Sequence, residues 1–316
     1  MTVNTTTNAT DSPRTSGDTP NNTIQEHTMS TITPTRSLAD PADTADTAAP
    51  SNSNVIRPDL RTSTGTAAFA VAGRTLRKFW RTPQLIVVGA LTSAMFLLIF
   101  RYVFGGAIRT GGVTYADFLI PAMAVGSGLF ASGAVGVAAD IEGGLFDRLR
   151  SLPIPRASIL LGRSLADTAL IVWATAITVV LGYATGFRFH GSALDALAAI
   201  ALCVVFAAAF TWPFIFMGLV SGSAQAAQGM SFMAFPFVFV SSAYVPVASM
   251  PGWMQPVARN QPVTQMVDAV RALALGDHAE AVLGHGAGWF AIRALVWSVV
   301  IVALFATLST RKFAKA

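Results

Sequence analysis

The residues best suited to chemistry lie in one short stretch. DIEGGLFDRLRSLPIPRASILLGR, from Asp140 to Arg163, holds three acids and four arginines in a chain whose charged fraction is only 12%, against roughly 25% in an average protein. Carboxylates and guanidinium groups at this density make charge-assisted hydrogen bonds, the chemistry of a docking element. In a short helix over LFDRLRSL, Asp147, Arg148 and Arg150 project while Leu145, Leu149 and Leu152 pack. Asp140, Glu142 and a Gly143–Gly144 hinge precede it, and Pro153 and Pro155 stop it. Arg163 and Asp167 then restart a helix with an i,i+4 ion pair. A loop that only sets membrane topology needs arginine alone; the acids, the hinge and the stop point to a partner.

Other chemistries find no residues. No lysine occurs between Lys78 and Lys312, so the phosphate-binding loop G-x-x-x-x-G-K-[ST] cannot be built there. The single cysteine, Cys203, lies in an apolar run and cannot form an intrachain disulfide. His190, His278 and His285 fall in loops without metal-ligand spacing and read as exposed polar residues. No acid occurs between Asp195 and Asp268, and Asp167 and Asp195 lie at expected span ends. A proton relay at membrane depth is therefore hard to assemble.

The elements that carry the stretch are greasy. Hydrophobic residues fill 53% of 316 positions, the balance of a membrane protein rather than a large soluble core. The net charge of +5 reads as membrane orientation and not nucleic-acid binding, because the basic residues cluster beside apolar runs. Six runs are candidate spans: Leu85–Phe104, Phe118–Ala139, Thr168–Phe187, Leu197–Val220, Ala226–Val247 and Ala287–Leu308. The fifth is the shortest, with only Met230–Val245 before Pro246. Basic groups at Arg74–Arg81, Arg148–Arg163 and Arg311–Lys315 place both termini and the charged stretch in the cytoplasm. Residues 1–65 are rich in Thr, Ser, Asn, Asp and Pro and read as a disordered cytoplasmic tail, with Met29 an alternative start. Residues 66–83 form an interface segment. In FAVAGRTLRKFWR, Phe69, Ala72, Leu76, Phe79 and Trp80 share one helical face, and Arg74, Arg77, Lys78 and Arg81 the other. Pro83 marks its end. Such a helix lies along the inner membrane surface, as a lipid anchor or a docking element.

These blocks resemble a known family. DIEGGLFDRLRSLPIPRASILLGRSLAD (Asp140–Asp167), SSAYVPVASMPGWMQPVARNQPVTQMVDAVRALALG (Ser241–Gly276), YADFLIPAM (Tyr115–Met123) and the terminal RKF at Arg311–Phe313 are similar to type-2 permeases of ATP-binding cassette (ABC) exporters, in the daunorubicin-resistance-like branch. The likeness runs over about residues 66–315, although Asn260-Gln261-Pro262 departs from the Asn-Pro of that branch. It implies an all-α membrane protein: six transmembrane helices over 84–316, the N-terminal amphipathic interface helix, and re-entrant outer helices at Pro251–Arg259 and Val263–Leu275, between spans five and six.

The resemblance also implies partners. A half-transporter of this kind pairs with a second permease, a copy or a homologue, and with two ABC ATPase subunits that carry ATP and magnesium; this chain itself binds no cofactor and is not an enzyme. Coupling to the ATPase maps onto Asp140, Glu142, Asp147, Arg148 and Arg150, and onto Arg74, Arg77 and Lys78. A path along spans two and five would offer Met123, Leu129 and Phe130 with Phe232, Phe235 and Phe239, an apolar wall suited to a hydrophobic drug or antibiotic. Small residues Gly126, Ser127, Gly133 and Gly136 would let helices approach closely. The expected setting is a bacterial plasma membrane, and arginine's excess over lysine, 18 to 3, suggests a GC-rich genome. Alternatives are export of lipids or lipid-linked glycans, a non-transporting membrane scaffold, and a secondary transporter.

Overall fold

The computed structural model describes residues 63–108, 110, 112–127, 133–151 and 155–315. The expected tail falls outside these residues up to position 62, as do Leu129, Phe130, Leu152 and Pro153 and the side chains of Asp147 and Arg150.

The first helix, α1 (Thr64–Trp80), starts where the Ser63 hydroxyl accepts the Thr66 amide, and ends before Thr82–Pro83. α2 (Pro83–Leu98) uses Pro83 in its first turn, where a missing N–H is harmless. It continues as a π-helical segment, Ile99–Phe104. α1 packs on the long helix α6 (Arg156–Ala184), and glycine makes this possible: a methyl group at Gly162 would lie 2.5 Å from the Ala68 carbonyl oxygen. The expected apolar face therefore divides between protein and surroundings. Ala72 is buried, whereas Phe69 and Trp80 are 71% and 55% exposed.

Among the described residues, four helices are long and apolar enough to cross a membrane: Ile86–Phe104, Ala157–Ala184, Ala193–Val220 and Ala287–Ala314. The 28-residue members reach about 42 Å at 1.5 Å per residue, more than a hydrocarbon core of about 30 Å. They correspond to expected spans one, three, four and six. α7 (Ala193–Val220) opens with a capping box, in which the Ser192 hydroxyl and Asp195 carboxylate exchange hydrogen bonds with each other's backbone amides. α13 (Ala287–Lys315) closes the bundle.

The second and fifth expected spans look different. The second is represented by α3 (Tyr115–Gly126) and α4 (Gly133–Glu142), on either side of residues 128–132. The fifth is not one helix: α8 (Ala224–Ser231) gives way to a turn at Phe232–Met233 and then to α9 (Ala234–Phe239). Pro236 accounts for the break, since its ring clashes with the Phe232 carbonyl and it has no N–H to offer. Gly229 and Ser231, both poor helix formers, stand just before the turn. Pro213, by contrast, lies inside α7 without ending it.

The main core joins α3, α7, α13 and α11 (Pro262–Leu275). Nearly all of α3 and every residue of α11 from Val263 to Leu275 are buried. The short helices α10 (Gln255–Asn260) and α12 (Ala279–Leu283) flank α11. A smaller cluster closes the opposite end: Val137, Ile159, Leu160, Trp212 and Ile215, with Phe146 of α5 (Leu145–Arg150) edge-on to Phe313. The charged stretch and α11 thus sit at opposite ends of the bundle, because α6 runs from the first to the His190–Ala274 hydrogen bond beside the second.

Candidate functional site

The connector is a folded element. Gly144 takes a left-handed φ of +65°, which turns the chain from α4 into α5. Phe146 anchors α5 against Phe313 and Leu149 packs on the same cluster, while Arg148 stays exposed. Glu142 does not merely project: its carboxylate accepts the Ala224 amide at 3.1 Å. That amide is an orphan donor in the first turn of α8, where negative charge is favourable. On α1, Arg74, Arg77 and Lys78 are all exposed.

Asp140 is turned inward. Its carboxylate accepts Arg163 Nη1 at 2.8 Å, while Asp167 accepts Arg163 Nε at 2.9 Å and the Gly133 carbonyl accepts Nη2 at 3.3 Å. The i,i+4 pair expected from spacing is present, yet Asp167 lies within a 29-residue helix and is 4% exposed, not at a span end. Gly136 has a different use from general helix approach, because a Cβ there would overlap the Arg163 guanidinium. Gly126 would admit a Cβ freely.

Arg163 and Asp167 also line a cavity of about 530 Å³. Six aromatic rings stand in its wall: Phe79 of α1, Phe96 of α2, Trp173 of α6, and Phe232, Phe235 and Tyr244. Met123, Ser127, Thr178, Gln228 and Ser231 add to the lining. Of the expected path residues, Met123, Phe232 and Phe235 meet here. Phe239 stands behind them, stacked with Phe235 at 6.2 Å and tilted on Tyr244 at 5.3 Å. The volume suits a drug-sized molecule; the Arg163–Asp167 pair makes one end polar, and hydroxyls such as Ser127 and Thr178 add hydrogen-bonding groups elsewhere on the wall.

The far end is fastened by a buried arginine. Arg271 has no exposed surface. Its Nε donates to the Phe118 carbonyl and its Nη2 to the Ser242 carbonyl, both at 2.9 Å, and its Nη1 pairs with Asp268. The guanidinium also lies over the Phe118 ring, 3.6 Å from the centroid. Burial pushes the Asp268 carboxyl up, against the attraction of Arg271 and the hydrogen bond from Ser242. The i,i+3 spacing of Asp268 and Arg271 was the available signal. Beside this clamp, Tyr244 stacks on Phe100 at 4.3 Å and its carbonyl accepts the Tyr115 hydroxyl. His190 is exposed, as expected, and its Nε2 lies 3.3 Å from the buried Asp117 carboxylate. No group of three or more metal-ligating side chains occurs among the described residues.

Known proteins share this pattern. The chain is 30% identical to the daunorubicin resistance ABC transporter permease protein DrrB1 of Streptomyces coeruleorubidus over 271 residues, 83% of this chain and 93% of that one. It is 29% identical to the probable doxorubicin resistance ABC transporter permease protein DrrC of Mycobacterium tuberculosis, over 62% of this chain and 73% of that one. With that organism's doxorubicin resistance permease DrrB it shares 26% identity, over 65% of this chain and 72% of that one. The model of the family described as "ABC-2 type transporter" matches residues 66–275, which include the connector, the cavity and the Arg271 clamp. The chain therefore belongs to the ABC-2 type transporters, as a multi-pass membrane permease.

Proposed function

We propose that this permease moves a hydrophobic or amphipathic compound, of the drug or antibiotic class, out of a bacterial cell with energy from a separate ATPase. One observation carries the reading: an aromatic cavity of about 530 Å³ whose polar end is tied to a charged connector. The relatives named as daunorubicin and doxorubicin resistance permeases support the cargo class. In this reading the chain crosses the membrane six times, with α3–α4 and α8–α9 as spans two and five, and α10–α11 are the re-entrant outer helices. Both termini face the cytoplasm. Arg148, Glu142 and the basic face of α1 meet two ATPase copies, and a second permease completes the path. Nucleotide binding closes the ATPases, moves the connector and switches the cavity from inward to outward access.

The test is ATP-dependent efflux of a lipophilic fluorescent amine from cells with and without this permease and its neighbouring ATPase. Efflux requires both chains and collapses in Arg148→Glu, where like charge meets the surface that the arginine served. If the ATPase binds but no amine moves, the drug class falls and lipid export is measured next. If the ATPase does not bind at all, the connector is not its docking element.

A further inference from the structure

Arg163 belongs to two regions at once. It sits on α6 in the wall of the cavity, yet its guanidinium reaches across to α4, the helix that leads into the connector. α4 packs chiefly on α7 and α8, with little backbone contact to α6. What spans the gap is this side chain. It lies in the notch left by Gly136 and holds Asp140 and the Gly133 carbonyl on the α4 side, and Asp167 on its own helix. Arg163 and Asp167 are cavity wall, while Asp140 stands two residues before Glu142 and four before the Gly144 turn.

We infer that Arg163 is a positioning residue, the tie through which displacement of the connector reshapes the cavity. The inference rests on the proposed exporter reading, in which an ATPase moves the connector. Apolar packing resists motion in many directions weakly, whereas a guanidinium shared between two carboxylates, one on each helix, has a fixed geometry and two discrete arrangements, held or released. Moving α4 relative to α6 must either drag Arg163 along or break its bond to Asp140. In both cases the polar end of the cavity changes when the connector moves. Lysine, with one ammonium on a flexible stem, cannot hold two carboxylates and a carbonyl in a planar fork.

The permease–ATPase complex, reconstituted in liposomes, tests this through cargo moved per ATP hydrolysed, using the lipophilic fluorescent amine. Three variants are compared with the native complex: Asp140→Asn, Arg163→Lys and Gly136→Ala, the last keeping every charge while displacing the guanidinium. The ratio is expected to fall about tenfold in all three, within the usual range of coupling between sites. A purely structural role would lower hydrolysis, transport and assembled protein together and leave the ratio where it was, and that result overturns the inference. So does a native ratio in Asp140→Asn, the nearly isosteric change that decides the matter if Gly136→Ala fails to assemble. A native complex that hydrolyses ATP but moves no amine defeats the exporter reading first, and the inference with it. The two failures are told apart by the native control.

Discussion

A guanidinium without exposed surface must find acceptors inside the protein for donors that water would otherwise satisfy. Arg271 finds them on three separate segments: Phe118 of α3, the Ser242–Ala243 turn, and Asp268 on its own helix. Arg271→Met leaves Asp268 buried and uncompensated, so unfolding of the detergent-solubilised protein should shift by about 3–5 kcal/mol. Replacing Asp268 as well, with Leu, should recover much of that loss, because paired apolar residues often match a buried ion pair. A single variant as stable as the native chain would show that the clamp carries no load. Arg163 differs in kind. Its partners also stand on two helices, but it faces a cavity, and its bonds can break without exposing the core.

At the scale of elements, glycine decides which helices touch. Gly162 lets α1 lie against α6, and Gly218 does the same for α7 against α4, where a Cβ would meet the Ala134 carbonyl and Val137. Gly162→Val puts its branched side chain against Ala68 and Val71, an overpacking of about 1–3 kcal/mol. Limited proteolysis near Arg74–Arg81 should speed up in that variant while the rest of the chain keeps its native pattern. Unchanged cleavage would mean that α1 is held by other contacts. Much of this architecture was legible beforehand. The apolar runs marked the four long helices, the Arg163–Asp167 spacing marked an ion pair, and Pro83 marked the α1–α2 boundary. Period and length speak of one helix at a time, however. Asp140 and Arg163 lie 23 residues apart, with no local pattern joining them. Apart from the Asp268–Arg271 spacing, nothing marked Arg271, because its other acceptors are Ser242 and backbone carbonyls of distant segments, to which any residue type contributes equally. The broken fifth span was visible only as a short run before Pro246; the turn itself depends on how Pro236 meets the Phe232 carbonyl.

On the scale of the whole molecule, one face of the cavity comes from α1, one from the long α6 helix, and one from the broken α8–α9 segment. Phe79, Trp173 and Phe235 represent the three. Burying an aromatic ring contributes about 1.5–3 kcal/mol, so Phe235→Ala should raise the cargo concentration for half-maximal efflux by about tenfold or more. ATPase binding through Arg148, at the distant connector, should be left as it was. A dose–response curve for efflux checks the first statement, and co-purification the second. An unshifted curve would remove Phe235 from the path.

The clamp at Arg271 also has an order in time. Ribosomes make the chain from its N-terminus, and every group that holds Arg271 (the Phe118 carbonyl, the Ser242 and Ala243 carbonyls, the Asp268 carboxylate) precedes it in the sequence. The guanidinium thus emerges after its whole receptor has been synthesised, and it need never wait unpaired for a later segment. α13, which covers α11 with Phe290 and Ala294, is made last. Synthesis from one end therefore delivers the charge first and its apolar cover second, the sequence of events that spares a nascent membrane protein an unsatisfied arginine.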